Sequence, residues 1–120
     1  MKWRNFNTYL ALKAINSGAQ NIPVLANTIR LARVTLAMAL EHSSESRLGK
    51  SVDLHVPAAA EWFRIAGGEV EKLCEIATET MNPGDLWARQ GGGGVCNSAR
   101  LRFWKERMLE LGYTEVGERT

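Results

Sequence analysis

The feature that most constrains this chain is the spacing of its apolar residues. Leu25, Ile29, Ala32, Leu36 and Ala39 step by four, three, four and three. That rhythm places all five on one side of an α-helix, and no comparable run alternates with the period of two that a half-buried strand needs. The same helical rhythm recurs in three other segments. A helix over about Trp3–Asn16 is expected to bury Phe6, Leu10 and Ala14, widened by Tyr9, Leu12 and Ile15, with Gly18 as its cap. The second helix opens near Pro23, a suitable first-turn residue, and runs to Glu41. A third spans Pro57 to about Thr80, with Trp62, Ala66, Val70, Leu73 and Ala77 on its buried side and Phe63, Ile65 and Ile76 beside them. A fourth runs from about Ser98 to Leu111, with Leu101, Trp104, Met108 and Leu111 inward and Gly112 as its stop.

The expected fold is therefore all-α: one domain, residues 1–112, of four main helices around one core, with a polar tail at 113–120. The 120 residues suit one domain, and a chain this long buries enough surface to need no metal or disulfide staple. Between the helices, 41–51 and 82–97 read as connections. Leu86 and Trp87 form an apolar anchor in the second of these. Gly67 and Gly68 sit inside the third helix, where each costs about 1 kcal/mol relative to alanine. Close packing of Gly67 against another helix would explain them, and a kink is the alternative.

Charge is unevenly spread. Residues 1–40 carry five basic residues and no acid, residues 41–85 carry a net charge of −5, and residues 86–120 carry +2. Two segments of opposite charge in one small domain are expected to pair internally. A nucleic-acid surface needs a basic excess on one face, so nucleic-acid binding is not expected. No stretch has the length of a membrane-spanning helix and no cleavable leader is recognisable, so no membrane association and a cytoplasmic setting are expected.

The one motif that invites a site is "GGGGVCNSAR", residues 91–100. A helix N-terminus attracts anions, so Gly93, Gly94, Asn97, Ser98 and Arg100 are candidate anion-binding residues. A Walker-type loop, however, has Lys-Ser/Thr after its last glycine, where Val95 and Cys96 stand here. The preferred reading is an extended, poorly ordered connector, with regular helix from Asn97 or Ser98. His42, His55, Cys74 and Cys96 lack paired-ligand spacing, so no metal site and no cofactor are expected. Cys74 is expected as a small core residue. Cys96, near a helix start, is a candidate for a lowered pKa, and a Cys96–His55 nucleophile pair is the remote catalytic alternative. No catalytic residue is assigned. Glu71, Glu75 and Glu79 form an acidic ridge expected to be solvated or to face a basic helix. Arg100, Arg102, Lys105 and Arg107 flank Phe103 and Trp104 as long cations commonly do on amphipathic helices.

Several stretches resemble a known family. They are "WRNFNTYLA" (3–11), "ALE" (39–41), "HVPAAAEWFRIAGGEV" (55–70), "LW" (86–87) and "RLRFWKERM" (100–108). Together they are similar to uncharacterised, mostly helical proteins of filamentous fungi, grouped as a domain of unknown function. The resemblance implies a helical fold and a fungal, intracellular protein, and it supplies no activity and no catalytic residues. The expected function is a non-enzymatic helical interaction or structural module with a protein partner or a second copy. The alternative is a small-molecule binder or enzyme with an anion or ligand site near the glycine run and Arg100.

Overall fold

A computed structural model describes residues 2–20, 30–43 and 52–114. The described residues form five helices: α1 (Lys2–Gln20), α2 (Ala32–Leu40), α3 (Val52–Ile76), α4 (Asp85–Arg89) and α5 (Ser98–Glu110). Among the described residues there is no strand, and an isolated antiparallel bridge joins Thr80 and Val95. The architecture is all-α. α3 is the central element, and α1, α2 and α5 each pack on it.

α1 folds as expected, with Ala14 buried and Leu10 and Ile15 packed against the core, but the rest of its predicted stripe is turned outward. Phe6, Tyr9 and Leu12 are 49%, 55% and 45% exposed, while Asn7, Ala11 and Ala14 are buried. Two physical effects choose that rotation. The alanines let the α1 backbone approach α3 closely. Asn7 is the hub of a buried polar network: its Oδ1 accepts from Thr35 Oγ1 and from Trp62 Nε1, both at 2.7 Å, and its Nδ2 donates to Trp3 O at 2.9 Å. One side chain thus ties α1 to α2 and α3, and a hydrogen-bonded network of this kind specifies one arrangement of helices. α1 also continues through Gly18 to Gln20 instead of stopping there.

α2 buries Ala32, Leu36, Ala37, Ala39 and Leu40, in line with the four–three spacing. Leu25 and Ile29 of the predicted stripe lie outside the described residues. α3 starts before Pro57 and takes the proline into its second turn. It buries Trp62, Phe63, Ala66, Val70 and Leu73. It ends at Ile76, because Ala77 adopts φ 56, a left-handed conformation that terminates helices. Ala77 and Thr80 therefore fall outside the helix, and Ile76 is 68% exposed instead of buried.

The glycine pair in α3 is not a packing device. A Cβ on Gly67 or Gly68 would meet no atom within 4 Å. The helix instead kinks at the preceding Ala66 (φ −126, ψ 31), and the pair follows that break. Phe63, Gly67, Gly68, Glu71 and Lys105 line an open groove of about 500 Å³ there.

The opposite charges of the first two segments meet. Arg4 pairs with Glu61 at 3.0 Å, and Glu79 takes Arg30 at 2.7 Å and Arg33 at 3.7 Å. Of the acidic ridge, Glu71 bonds Lys105 of α5 at 3.0 Å. At the other end Tyr113 folds back on the core, its N–H donating to Met108 O at 2.9 Å.

Candidate functional site: a closed latch at the glycine run

Residues Gly93, Gly94, Asn97, Ser98 and Arg100 do come together, around the start of α5. Asn97 is its N-cap, with Oδ1 accepting from Arg100 N at 3.0 Å, and Ser98 is the first helical residue. This end of the helix is where the sequence places it. What the sequence reading lacks is Glu41.

Arg100 is fully buried and faces inward. Its Nε donates to Glu41 Oε2 at 2.6 Å and its Nη2 to Glu41 Oε1 at 2.7 Å, a bidentate fork. Its Nη1 donates to Met81 O at 2.8 Å and to Gly94 O at 2.9 Å. Glu41, also fully buried, accepts further bonds from Trp104 Nε1 at 2.6 Å and from Gly84 N at 2.9 Å, and its own carbonyl accepts from Leu86 N at 2.8 Å. A buried ion pair is tolerable only when its remaining donors and lone pairs are satisfied, as here.

This cluster decides what the glycine run can do. The groups that converge on Arg100 are carbonyl oxygens of Met81, Gly93 and Gly94, whereas an anion cradle needs converging N–H groups. An incoming anion would have to displace Glu41 from the guanidinium. The run is also pinned, not an open connector. Met81 N donates to Gly94 O at 2.8 Å, Cys96 N to Glu79 O at 2.9 Å and Trp87 Nε1 to Gly93 O at 3.1 Å.

Two glycines have distinct jobs. Gly91 takes φ 81, which only glycine adopts without strain. Gly92 lies under the Trp87 indole, where a Cβ would come within 2.1 Å of the ring, and that ring in turn packs on Phe103 with centroids 5.1 Å apart. At Gly93 a Cβ would meet nothing within 4 Å. Gly92→Ser should therefore destabilise the fold by about 1–3 kcal/mol through overpacking, and Gly93→Ser by far less. Equal denaturation midpoints for the two variants would contradict this placement.

The remaining candidates are also turned inward. Cys96 is fully buried, and burial raises its thiol pKa, the reverse of the lowering expected for a helix start. Cys74 is buried too, and burial pushes its thiol up to about 12. Neither thiol is a ready nucleophile. Among the described residues no three His, Cys, Asp or Glu side chains are grouped to hold a metal ion. On α5, Lys105 pairs with Glu71, and Arg107 with Glu110 and the Leu40 carbonyl.

His55 is buried beside Trp3, the rings meeting edge-on at 5.9 Å. Neither its Nδ1 nor Trp3 Nε1 has a hydrogen-bond partner among the described residues. Burial, and secondarily the charge of His42, holds the His55 pKa below its ordinary 6.5. The unfolded chain therefore takes up the proton more readily. Stability is fully present above 6.5 and is lost as the pH falls from there through the lower folded pKa. His55→Phe should flatten the decline in stability between about pH 7 and about pH 5. An unchanged slope in urea melts would show that His55 does not carry it. At lower pH, Glu61 adds to the loss. Burial opposes its ionisation, but hydrogen bonds from Arg64, Arg4 and Thr8 outweigh that and hold its carboxyl below 4.5.

No helix among the described residues is long and apolar enough to cross a membrane. No curated protein and no solved structure matches the chain. The family model described as "Protein of unknown function (DUF3632)" matches residues 1–108, a span that takes in the Asn7 network and Glu41, Arg100 and Trp104, and the chain belongs to that family.

Proposed function

We propose that this chain is a non-enzymatic helical interaction module whose docking surface is the outer face of α1. The observation that carries the reading is the row Phe6, Tyr9 and Leu12, each about half exposed on a helix whose opposite face already packs on α3. At about 100° per residue these three side chains sweep an arc of roughly 120°, the width of a core-facing stripe. The apolar area left in water is on the order of 300 Å², the size of the largest patch on a typical monomer, which is often functional. A patch this small supports weak, reversible association more than an obligate complex.

The chemistry elsewhere favours this over the enzyme alternative. The buried thiols lie in the core near the Arg100–Glu41 pair, and the buried histidine packs against Trp3. A cytoplasmic, fungal protein is part of the same reading, supported by the two unbridged thiols Cys74 and Cys96 and by the family resemblance. The anion site at Gly93, Gly94, Asn97, Ser98 and Arg100 remains the alternative, and it requires the Glu41 latch to open.

Replacing Phe6, Tyr9 and Leu12 with serine should leave the melting temperature close to that of the wild type, since none is in the core. It should also remove row-dependent association, read in two ways: sedimentation of the purified chain, and the proteins retained by wild-type and variant baits compared quantitatively. If both readouts are the same with and without the row, the reading fails. A rise in melting temperature on adding inorganic phosphate would favour the anion site instead.

A further inference from the structure

The two unpartnered buried nitrogens, His55 Nδ1 on α3 and Trp3 Nε1 in the first turn of α1, belong to a single ring contact. Trp3 in turn packs on Phe6, with centroids 6.0 Å apart. A line of three rings therefore runs from buried His55 to the first residue of the exposed row. Buried polar groups in folded proteins are nearly always hydrogen-bonded, so an unpaired couple in one contact calls for an explanation. We propose that this contact is a clasp released by acid: protonation of His55 frees the first turn of α1, and Phe6 moves with it. Its consequence for docking rests on the α1 face being the docking surface, whereas the release itself does not.

The closed contact suits only the neutral ring. A protonated imidazole carries a charge and two N–H donors, and the indole N–H of Trp3 only donates, so neither ring can satisfy the other. The contact also lies at the N-terminal end of α1, the positive end of the helix dipole, and that turn contains no acid. The surrounding ionisable groups give no relief. On α1, Arg4 is held by Glu61 of α3. At the end of α2, the charge of His42 opposes that of His55, and Glu41 is engaged by Arg100. On α4, Asp85 takes Ser43 and Arg89 and lies 3.6 Å from His42. Asp53, two residues before His55, stands on another side of α3, since residues two apart on a helix are not neighbours. Burial and His42 thus keep His55 neutral while the clasp is closed, and opening it gives water to both nitrogens at once.

Asn7 sets where the release stops. Its Oδ1 holds Thr35 and Trp62 at 2.7 Å, and beyond it Ala11 and Ala14 are buried. The turn before it is held by less. Apart from the Trp3–His55 contact there is the Arg4–Glu61 pair, whose arginine side chain is 47% exposed, and the bond from Asn7 Nδ2 to Trp3 O. Residues 2–6 should therefore lift away while Asn7 and the rest of α1 stay docked.

The indole N–H signals in a nitrogen-edited NMR spectrum test this directly, with Trp3→Phe identifying the Trp3 signal. Between about pH 7.5 and about pH 5, the wild-type Trp3 signal should move to the position of a solvated indole and begin to exchange with water. Its midpoint should lie below 6.5. The indoles of Trp62 and Trp104, bonded to Asn7 and Glu41, should keep their positions. His55→Phe should hold Trp3 closed over the whole range, and His55→Gln, also neutral at every pH, should do the same. His42→Gln should leave the release in place. Proteins retained through the Phe6 row should be lost from wild-type baits at the acid end and kept by His55→Phe baits.

A wild-type Trp3 signal that does not move overturns the proposal. So does joint loss of the Trp3, Trp62 and Trp104 signals, which is global unfolding, or a release that persists without His55. Row-dependent retention that ignores pH while Trp3 is released overturns the control of docking. Retention that ignores the row at both pH values sinks the docking reading instead, and leaves the release to stand on the indole signals.

Discussion

Replacing Arg100 with methionine should cost about 3–5 kcal/mol of folding free energy, because it leaves the Glu41 carboxylate buried without its counter-charge. The guanidinium is fully buried and holds Glu41 through two bonds of 2.6 and 2.7 Å. It also releases the Met81 and Gly94 carbonyls, so the 81–96 region should loosen before the helices do. The double variant Arg100→Met with Glu41→Leu should recover part of the loss, since removing both charges abolishes the unpaired one. Recovery stays incomplete because Trp104 Nε1 and Gly84 N then lose their acceptor. Urea denaturation of the two single variants and the double variant gives the coupling energy directly. Additive losses would mean that the pair is not coupled.

The second large effect belongs to the other end of the fold. Asn7→Leu should destabilise by about 2–4 kcal/mol, because the Trp62 indole N–H and the Thr35 hydroxyl lose a shared buried acceptor and each unsatisfied group costs about 1–3 kcal/mol. Asn7 is fully buried and both bonds are 2.7 Å. Phe6→Ser, one residue earlier, removes a larger apolar side chain yet should cost far less, because Phe6 is half exposed. The contrast is diagnostic. If α1 packed through Phe6 as an apolar count suggests, Phe6→Ser would be the more damaging change in a thermal melt.

That inversion shows where the sequence is legible and where it is not. The helical class, the core positions of α2 and the start of α5 at an Asn97 cap are all readable from spacing and capping chemistry. The rotation of α1 is not, because pattern reading scores asparagine as outward and phenylalanine as inward. Asn7 goes in only because Thr35 and Trp62, 28 and 55 residues away, supply its partners.

Glu41 is hidden in the sequence for the same reason. A weak signal existed: Glu41 stands four residues after the buried Ala37, and Arg100 stands four before the buried Trp104, so each shares a core-facing side of its helix. Spacing alone cannot say that two such residues, 59 apart, meet. The end of α3 reads too long in the sequence because apolar rhythm continues through Ala77, while the backbone stops at its left-handed turn. The glycine run misleads in the opposite direction. Four glycines suggest slack, but Gly91 supplies a turn, Gly92 makes room for Trp87, and Gly94 is bonded to Met81 and Arg100.

The glycine run, with Gly91 and Gly93 exposed, is pinned by hydrogen bonds to the closed cluster around Arg100, which leaves recognition to the helix faces. Native-state hydrogen exchange measures this pinning most directly. The amides of Met81, Leu86, Gly92 and Cys96 donate to Gly94, Glu41, Trp87 and Glu79 respectively. They should exchange as slowly as the amides of the α3 core, through global unfolding, and inorganic phosphate should not change their rates. Exchange of these four at the rate of an open loop, or selective slowing by phosphate, would contradict the account.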